Sequence, residues 1–345
     1  MAVCRAWLCA NIGRKSFSPR QLNSLSLDIL RLLADGAFHS GEALAERLGR
    51  SRASVWQALQ GVEEYGVELH SVRGKGYRLA RPLEWLQGDA IAAAMGETAA
   101  RIGLQLHDSI DSTNAALLRL AQQQAAPGTV LAAEWQSAGR GRLGRQWLAN
   151  LGGSLLFSLL WRFERGIAQL SGLSLAVGVA LIRALRLAGI DDATLKWPND
   201  VLWRGGKLAG ILIEVSGDAL GPSQVVIGVG LNLQLGAHTA GRIGQPAAAL
   251  CDEAGSGVSR NRLFGLVLQQ LVRLLDEFGA GGFAAVRDEW QRYHGLQGQP
   301  VRLLAPDGRV MLGVAVGAAG DGTLLLDQDG VLRSIHAGEI SFRGV

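Results

Sequence analysis

The sequence predicts a multi-domain α/β protein: an N-terminal winged helix-turn-helix, a central α/β domain and a small C-terminal β-barrel. Three observations carry this. Near the N-terminus three short helical patterns run into two alternating strands around the basic turn Arg73-Gly74-Lys75-Gly76. The middle of the chain mixes short apolar strand patterns with long apolar helical ones. From Gln299 the texture changes to short β runs punctuated by Asp307-Gly308, Asp321-Gly322 and Asp329-Gly330, and Asp-Gly between apolar runs is a hairpin signal. At 345 residues, two or three domains are expected.

The first helical face is Leu27, Leu30, Leu33 and Ala34. Ser40 can cap a second helix, Glu42 to Leu48, which Gly49 can close. Ser51 can cap a third, Arg52 to Tyr65, closed by Gly66, with Val55, Leu59 and Val62 turned inward. That leaves Arg52, Ser54, Trp56, Gln57 and Gln60 to solvent or a partner. The short link Gly49-Arg50-Ser51 is helix-turn-helix geometry. In such a unit the third helix, through Arg52, Ser54 and Gln57, reads base edges, and the wing charges Arg73 and Lys75 touch phosphates. A purely structural or protein-docking winged helix is the plainer alternative.

Arg81-Pro82 marks a linker, and Leu83 to Met95 reads as helical. Strand Leu104 to His107 leads into Asp111-Ser112-Thr113-Asn114, which can cap the helix Ala115 to Gln123 or hold a polar ligand atom at its N-terminus. Strands at Val130 to Trp135 and Ser154 to Trp161 flank the loop Gly139-Arg140-Gly141-Arg142-Leu143-Gly144-Arg145. Glycine is entropically costly to order and arginine offers forked donors to an anion, so this loop is suited to order over a phosphate-bearing ligand, with a solvated basic surface loop as the plainer alternative. It also matches Gly-x-Gly-x-x-Gly, but a strand rather than a helix follows, against a dinucleotide fold.

Leu170 to Leu187 reads as a nearly all-apolar buried helix, too short before Arg183 to span a membrane. Leu195 to Trp203 reads as a strand interrupted by Pro198, which places it at an edge or bulge. Lys207-Leu208-Ala209-Gly210 leads into strand Ile211 to Val215, and another strand, Gln224 to Gly230, ends in Gly230-Leu231-Asn232. Ala237 to Gly244 reads as a mobile loop, Arg262 to Phe278 and Gly282 to Tyr293 as amphipathic helices. Strands at 301–304, 310–316, 323–326, 331–335 and 340–342 complete the barrel.

The net charge of +4 permits nucleic-acid binding without arguing for it. Cys4, Cys9 and Cys251 have no disulfide or metal spacing, which fits a reducing cytoplasm. Residues 1–22 carry Arg5, Arg14, Lys15 and Arg20 and no acid, and read as a disordered extension, not a secretory signal. The domain limits read as 23–82 for the winged helix, 83–296 for the central domain and 297–345 for the barrel.

In combination, Asp111-Ser112-Thr113-Asn114, Gln136, Gly139-Arg140-Gly141-Arg142, Lys196-Trp197-Pro198-Asn199-Asp200, Lys207-Leu208-Ala209-Gly210 and Gly228-Val229-Gly230-Leu231-Asn232 resemble the bifunctional biotin–protein ligases that double as biotin-operon repressors. The resemblance runs from about Leu25 to the C-terminus. It implies a mixed-sheet central domain akin to class II aminoacyl-tRNA synthetases and an SH3-like C-terminal barrel. It implies formation of biotinyl-5′-AMP from biotin and ATP, then transfer of biotin to a lysine of a biotin carboxyl carrier protein. It further implies operator DNA binding by a homodimer formed on the adenylate, and no membrane. By resemblance Ser112, Thr113, Asn114, Gln136, Arg140, Gly141, Arg142 and Lys207 contact biotin, and Arg140, Arg142, Arg145, Trp147, Lys196, Asn199 and Asn232 contact ATP or the adenylate. Lys207, Arg142 and Asp200 carry the chemistry, and Mg²⁺ accompanies ATP, near Asp200. One departure stands out: where the family often has an adenine-stacking tryptophan, this chain reads Gln245-Pro246-Ala247.

Three other readings compete. A lipoate–protein ligase shares the catalytic fold but not the Gly-Arg-Gly-Arg loop. A nicotinamide-binding regulator needs the missing helix after Gly144. A biotin-sensing repressor with little ligase activity leaves Lys207 and Asp200 without a task. Titration with biotin, lipoate and NAD separates the ligand classes.

Overall fold

The computed structural model describes residues 23–251, 257–304, 310–336 and 341–344; the expected extension 1–22 and the Asp307-Gly308 turn lie outside them. In the N-terminal unit α1 (Ser24–Leu32), α2 (Gly41–Leu48) and α3 (Arg52–Leu59) precede an antiparallel wing, β1 (Leu69–Val72) and β2 (Gly76–Leu79). Asn23, Ser40 and Ser51 cap the three helices, and Gly49 ends α2 in the left-handed conformation. The third helix is shorter than expected. Gly61 at φ +87° breaks it, and Val62–Tyr65 continue as a 3-10 turn that still buries Val62 and Tyr65.

The central domain contains α4 (Gly88–Met95), β3 (Gly103–Ile110), α5 (Thr113–Gln122), β4 (Thr129–Gln136), β5 (Ser154–Phe163), α6 (Leu173–Leu187), β6 (Thr194–Lys196), β7 (Asp200–Trp203), β8 (Gly206–Gly217) and β9 (Ser223–Asn232). α7 (Ala237–Ala240), α8 (Arg260–Gly281) and α9 (Arg287–Tyr293) complete it. Seven strands form one sheet in the order β3-β4-β5-β9-β8-β7-β6. Only β3 and β4 are parallel, so the sheet is mixed as expected. α5 covers one face through Leu117, against Leu131, Leu160 and Val226. The buried α6, with α8, joins the larger core that contains Phe157, Ile227 and Leu231.

Several boundaries move. Residues 83–87 are not helical; Glu84 and Leu86 are tied to α8 and β4 instead. Gly172 at φ +80° starts α6 after a separate 3-10 turn at Ile167–Leu170. The stretch from Leu195 to Trp203 is not one broken strand. It is a hairpin, Lys196 opposite Asp200, whose turn holds Pro198 where no ladder donor is needed. β6 is indeed a sheet edge. The interval expected to be a mobile loop contains α7. The last amphipathic helix begins only at Arg287, after a 3-10 turn at Phe283–Ala285.

The C-terminal unit is an antiparallel sheet of β10 (Pro300–Leu304), β11 (Val310–Ala318), β12 (Leu324–Gln328), β13 (Val331–Ile335) and β14 (Ser341–Gly344), ordered β13-β12-β11-β10-β14. Asp329 and Gly330, at φ +54° and +83°, make the two-residue hairpin that Asp-Gly announces. Leu303, Leu324 and Leu326 share a core with Trp197, Phe283 and Trp290. The fully buried Trp197 donates its indole N–H to Gly322 O at 3.1 Å, tying the two units together.

Candidate active site

A cleft lies between the start of α5, the end of β4, the glycine-arginine loop and the strands β8 and β9. One wall is the start of α5. Ser112 caps that helix, as the capping reading expects, and the buried serine also lines the cleft. Thr113 donates from its backbone N to Gln136 Oε1 at 2.7 Å, and its hydroxyl lies 3.2 Å from the same oxygen. Behind them Ser158 Oγ contacts Thr113 Oγ1 at 2.8 Å and Asn114 Oδ1 at 2.5 Å. Asn114 Nδ2 donates to Glu214 Oε2 at 2.9 Å, and Arg140 pairs with Glu214 Oε1 at 3.1 Å. This wall is a preorganised set of donors and acceptors beside the apolar side chains of Phe157, Ile211, Leu212 and Val229.

The opposite wall is cationic. Lys207 sits within β8, not in an exposed turn, and its Nζ pairs with Asp200 Oδ1 at 2.7 Å. Arg142 Nη1 donates to Asn199 Oδ1 at 3.2 Å. Burial outweighs the attraction of Asp200, and with Arg145 nearby holds the Arg142 guanidinium below its usual range. Asn199 is itself locked to β8, donating from Nδ2 to Ile211 O at 2.9 Å.

The floor is glycine. The Trp147 indole lies against Gly210 and Gly230, and Lys207 Nζ is 5.6 Å from its ring centroid. A Cβ on Gly230 would stand 2.4 Å from Trp147 Cε2, and one on Gly228 would stand 1.9 Å from Asn114 Oδ1. The glycines of Gly228-Val229-Gly230 are therefore close-approach positions. The glycine-arginine loop folds back on itself, Gly141 N donating to Arg145 O at 2.7 Å and Trp147 N to Gly139 O at 3.0 Å. Leu143 stands at its tip at φ +54°, 66% exposed.

The structure thus brings Ser112, Thr113, Asn114, Gln136, Arg140, Gly141, Arg142, Trp147, Asn199 and Lys207 into one cleft, with Asp200 behind Lys207. Arg145, Lys196 and Asn232 do not line it. Arg145, at the end of the loop, is exposed. Asn232 is buried, its Nδ2 donating to Ala248 O at 3.2 Å and reaching Lys207 O at 3.5 Å. It clamps residues 246–248 against the lysine, where Lys207 N donates to Pro246 O at 3.0 Å and Ala248 N to Lys207 O at 3.0 Å. Gln245-Pro246-Ala247 is therefore part of the lysine's strand environment. Sequence reasoning missed Ser158 and Glu214. Their signal was a lone polar residue in each of two apolar runs, Leu155 to Leu160 and Ile211 to Val215.

On the winged unit, Arg52, Trp56, Gln57, Arg73 and Lys75 are exposed as expected, Trp56 at 57%. Ser54 is half-buried, with its hydroxyl 2.8 Å from that of Ser51 in the helix cap.

Comparison with known proteins agrees with this geometry. Residues 106–232 match the Biotin/lipoate A/B protein ligase family, 26–78 match an HTH domain and 297–343 match the Biotin protein ligase C terminal domain. The Bifunctional ligase/repressor BirA of Escherichia coli is 37% identical over 323 residues, 93% of this chain and 98% of the relative. A Biotin--[acetyl-CoA-carboxylase] ligase of Paracoccus denitrificans is 36% identical over 68% of this chain and 98% of its own length. The solved biotin protein ligase of Aquifex aeolicus in complex with biotin and ATP superposes with a TM-score of 0.59 at 28% identity, over 70% of this chain and 99% of that one. With its winged helix, its ligase cleft and its C-terminal sheet matched along nearly its whole length, the chain belongs to the family of bifunctional biotin–protein ligase/repressors.

Proposed function

We propose that the cleft binds the biotin ring system against Ser112, Thr113, Asn114 and Gln136, and presents its carboxylate to ATP beside Lys207 and Arg142. A carboxylate oxygen attacks the α-phosphorus, the bond to the bridging oxygen breaks, and pyrophosphate leaves. A lysine amine of a biotin carboxyl carrier protein then attacks the acyl carbon, the C–O bond to AMP breaks and the amine gives up its proton. Phosphoryl transfer is chiefly positioning and charge stabilisation, which Lys207 and Arg142 supply. The observation that carries this reading is the Lys207–Asp200 pair at 2.7 Å, facing the Gln136–Thr113 wall across a glycine floor. Asp200 holds the ammonium in place, and Arg140, released from Glu214, covers the ligand and excludes water.

Among the described residues no three or more His, Cys, Asp or Glu side chains gather as a metal site. A single carboxylate beside a phosphate subsite still suits Mg²⁺, which binds through one or two carboxylates and substrate phosphates. Asp200 would hold the ion, which when bound shields phosphate charge. Arg145 and Lys196 are placed to meet phosphate only if the loop and hairpin move inward. We further propose that the adenylate favours a homodimer whose two winged helices read a palindromic operator, with Arg52, Ser54 and Gln57 toward bases and Arg73 and Lys75 toward phosphates. Free Cys251 and the use of ATP fit a cytoplasmic setting.

The test is ATP-dependent transfer of labelled biotin to a purified carrier domain, with lipoate as the competing substrate. Transfer of lipoate but not biotin would overturn the assignment. Ultracentrifugation with and without biotinyl-AMP tests the dimer: a chain that stays monomeric with the adenylate bound overturns it.

A further inference from the structure

Arg260 and Glu134 form the most deeply buried ion pair among the described residues, with side chains 3% and 5% exposed and Nη1 to Oε2 at 2.5 Å. Their place in the sheet gives the pair a task. β4 and β5 run paired from Val130 opposite Leu159 to Ala133 opposite Leu156, and then separate. β4 continues beside β3 as far as Gln136, while the first residues of β5 pair with β9, Ser154 opposite Asn232. The cleft lies next to this fork, lined by Gln136 at the end of one arm and by Gly210 and Gly230 of the neighbouring strands β8 and β9.

Arg260, the first residue of α8, stands in the fork and spans it. Besides its contact with Glu134, its Nη2 donates to Ser154 O at 2.9 Å. Glu134 lies two residues before Gln136, on the same side of the strand. Ser154 leads through Asn232 to Lys207 O and Ala248 O. The arginine is fixed in turn by Glu84, in the linker that follows the winged unit. Its backbone N donates to Glu84 Oε2 at 2.6 Å and its Nη1 to Glu84 O at 2.9 Å.

Stability alone does not call for charge here, because a buried ion pair replaced by apolar side chains of similar volume is often neutral or stabilising. What apolar side chains lack is the ability to hold two strand ends at fixed hydrogen-bond distances. We propose that Arg260 is a positioning residue for adenylation: its planar fork sets the separation between the Thr113–Gln136 wall and the Lys207 wall. The kinetic part of this rests on the ligase reading above; the geometric part does not.

Arg260→Lys in the full chain is the first test. It keeps a cation beside Glu134 but replaces the planar fork with one ammonium, so that one arm is released. The rate of biotinyl-adenylate formation at saturating biotin and ATP should fall tenfold or more, on the scale of a misplaced reacting group, for which about 1 Å can cost ~100-fold. Peptide-resolved hydrogen exchange should quicken about tenfold at Lys207 and Ala248 and stay native in α6. A variant that melts lower but keeps the wild-type rate at saturation and native exchange at Lys207 and Ala248 would make Arg260 merely structural and overturn the proposal. Should Arg260→Lys not fold, Arg260→Met with Glu134→Met removes both charges together. Native exchange at Lys207 and Ala248 in that protein overturns the proposal, and faster exchange there with α6 native upholds it. If the wild-type chain forms no adenylate, the ligase reading falls while the exchange experiment still decides whether Arg260 holds the two walls.

Discussion

Gly230→Ala should disable ligand binding without breaking the backbone. Gly230 has no positive φ and is paired in two strand ladders, so alanine is allowed there conformationally. The obstacle is the indole of Trp147. A Cβ at position 230 would stand 2.4 Å from its Cε2, 2.7 Å from Nε1 and 2.8 Å from Cδ2. Carbon atoms rest at about 3.5–4.0 Å, so the ring must retreat by roughly 1 Å. It is rigid and cannot yield at one atom alone. Overpacking of this kind costs about 1–3 kcal/mol, and the displaced ring lines the cleft and stands 5.6 Å from Lys207 Nζ, so its shift disturbs the ligand floor. Biotin affinity should therefore fall at least tenfold and adenylate formation further, with the melting temperature lowered by only a few degrees. Titration calorimetry reads the affinity, and indole fluorescence reads the shift of the ring. Trp147→Leu in the Gly230→Ala background should recover part of the lost stability. Wild-type biotin affinity in Gly230→Ala would show that Trp147 is not part of the ligand floor.

Lys207→Ala should lower adenylate synthesis about 100-fold or more while biotin binding changes less, measured by pyrophosphate release against calorimetry. On the winged unit, Lys75→Ser should weaken binding to all DNA sequences and flatten the log–log salt dependence by about one unit, whereas Gln57→Ala should relax base preference, both read by gel shift. Trypsin should cut the free protein after the exposed Arg145 and Arg140 before the half-buried Arg142, and biotin with ATP should protect all three; equal cleavage with and without ligands would mean that the loop does not close. His294 is held neutral by burial, its pKa lowered from 6.5 to about 4. The unfolded chain takes up that proton first, so stability is full above pH 6.5 and is lost as pH falls toward 4, by about 3 kcal/mol in all. His294→Phe, which can keep the stacking on Trp290 at 4.6 Å between ring centroids, should flatten that part of the melting-temperature profile.

Local signals carried most of the architecture. Caps and glycines marked the winged helices, and Asp-Gly at 329–330 marked its hairpin, because these depend on a residue and its near neighbours. The failures have one physical source, tertiary context. The run Leu195 to Trp203 has strand composition throughout, and nothing local says that the chain reverses at Pro198. Glu84 reads as a helix residue until its carboxylate is seen against the N-terminus of α8. The site was legible as a set of motifs, yet its pairings were not. Arg140 with Glu214 joins residues 74 positions apart, and Asn232 has the chemistry of a ligand contact while serving as a clamp.

Leu151 lies just beyond the glycine-arginine loop, yet it is 1% exposed within the core of the winged unit, and Tyr65 O accepts from its backbone N at 2.8 Å. Trp135, at the end of β4, rests edge-on against Tyr65 with ring centroids 4.8 Å apart. The ligase therefore lends side chains to the repressor's interior. Cutting the chain at the linker would not release a clean enzyme: it would bare a leucine and an indole that now pack into the winged unit. A shorter ligase evolving from such a parent has to repaint this patch with polar side chains, or recruit another surface to cover it.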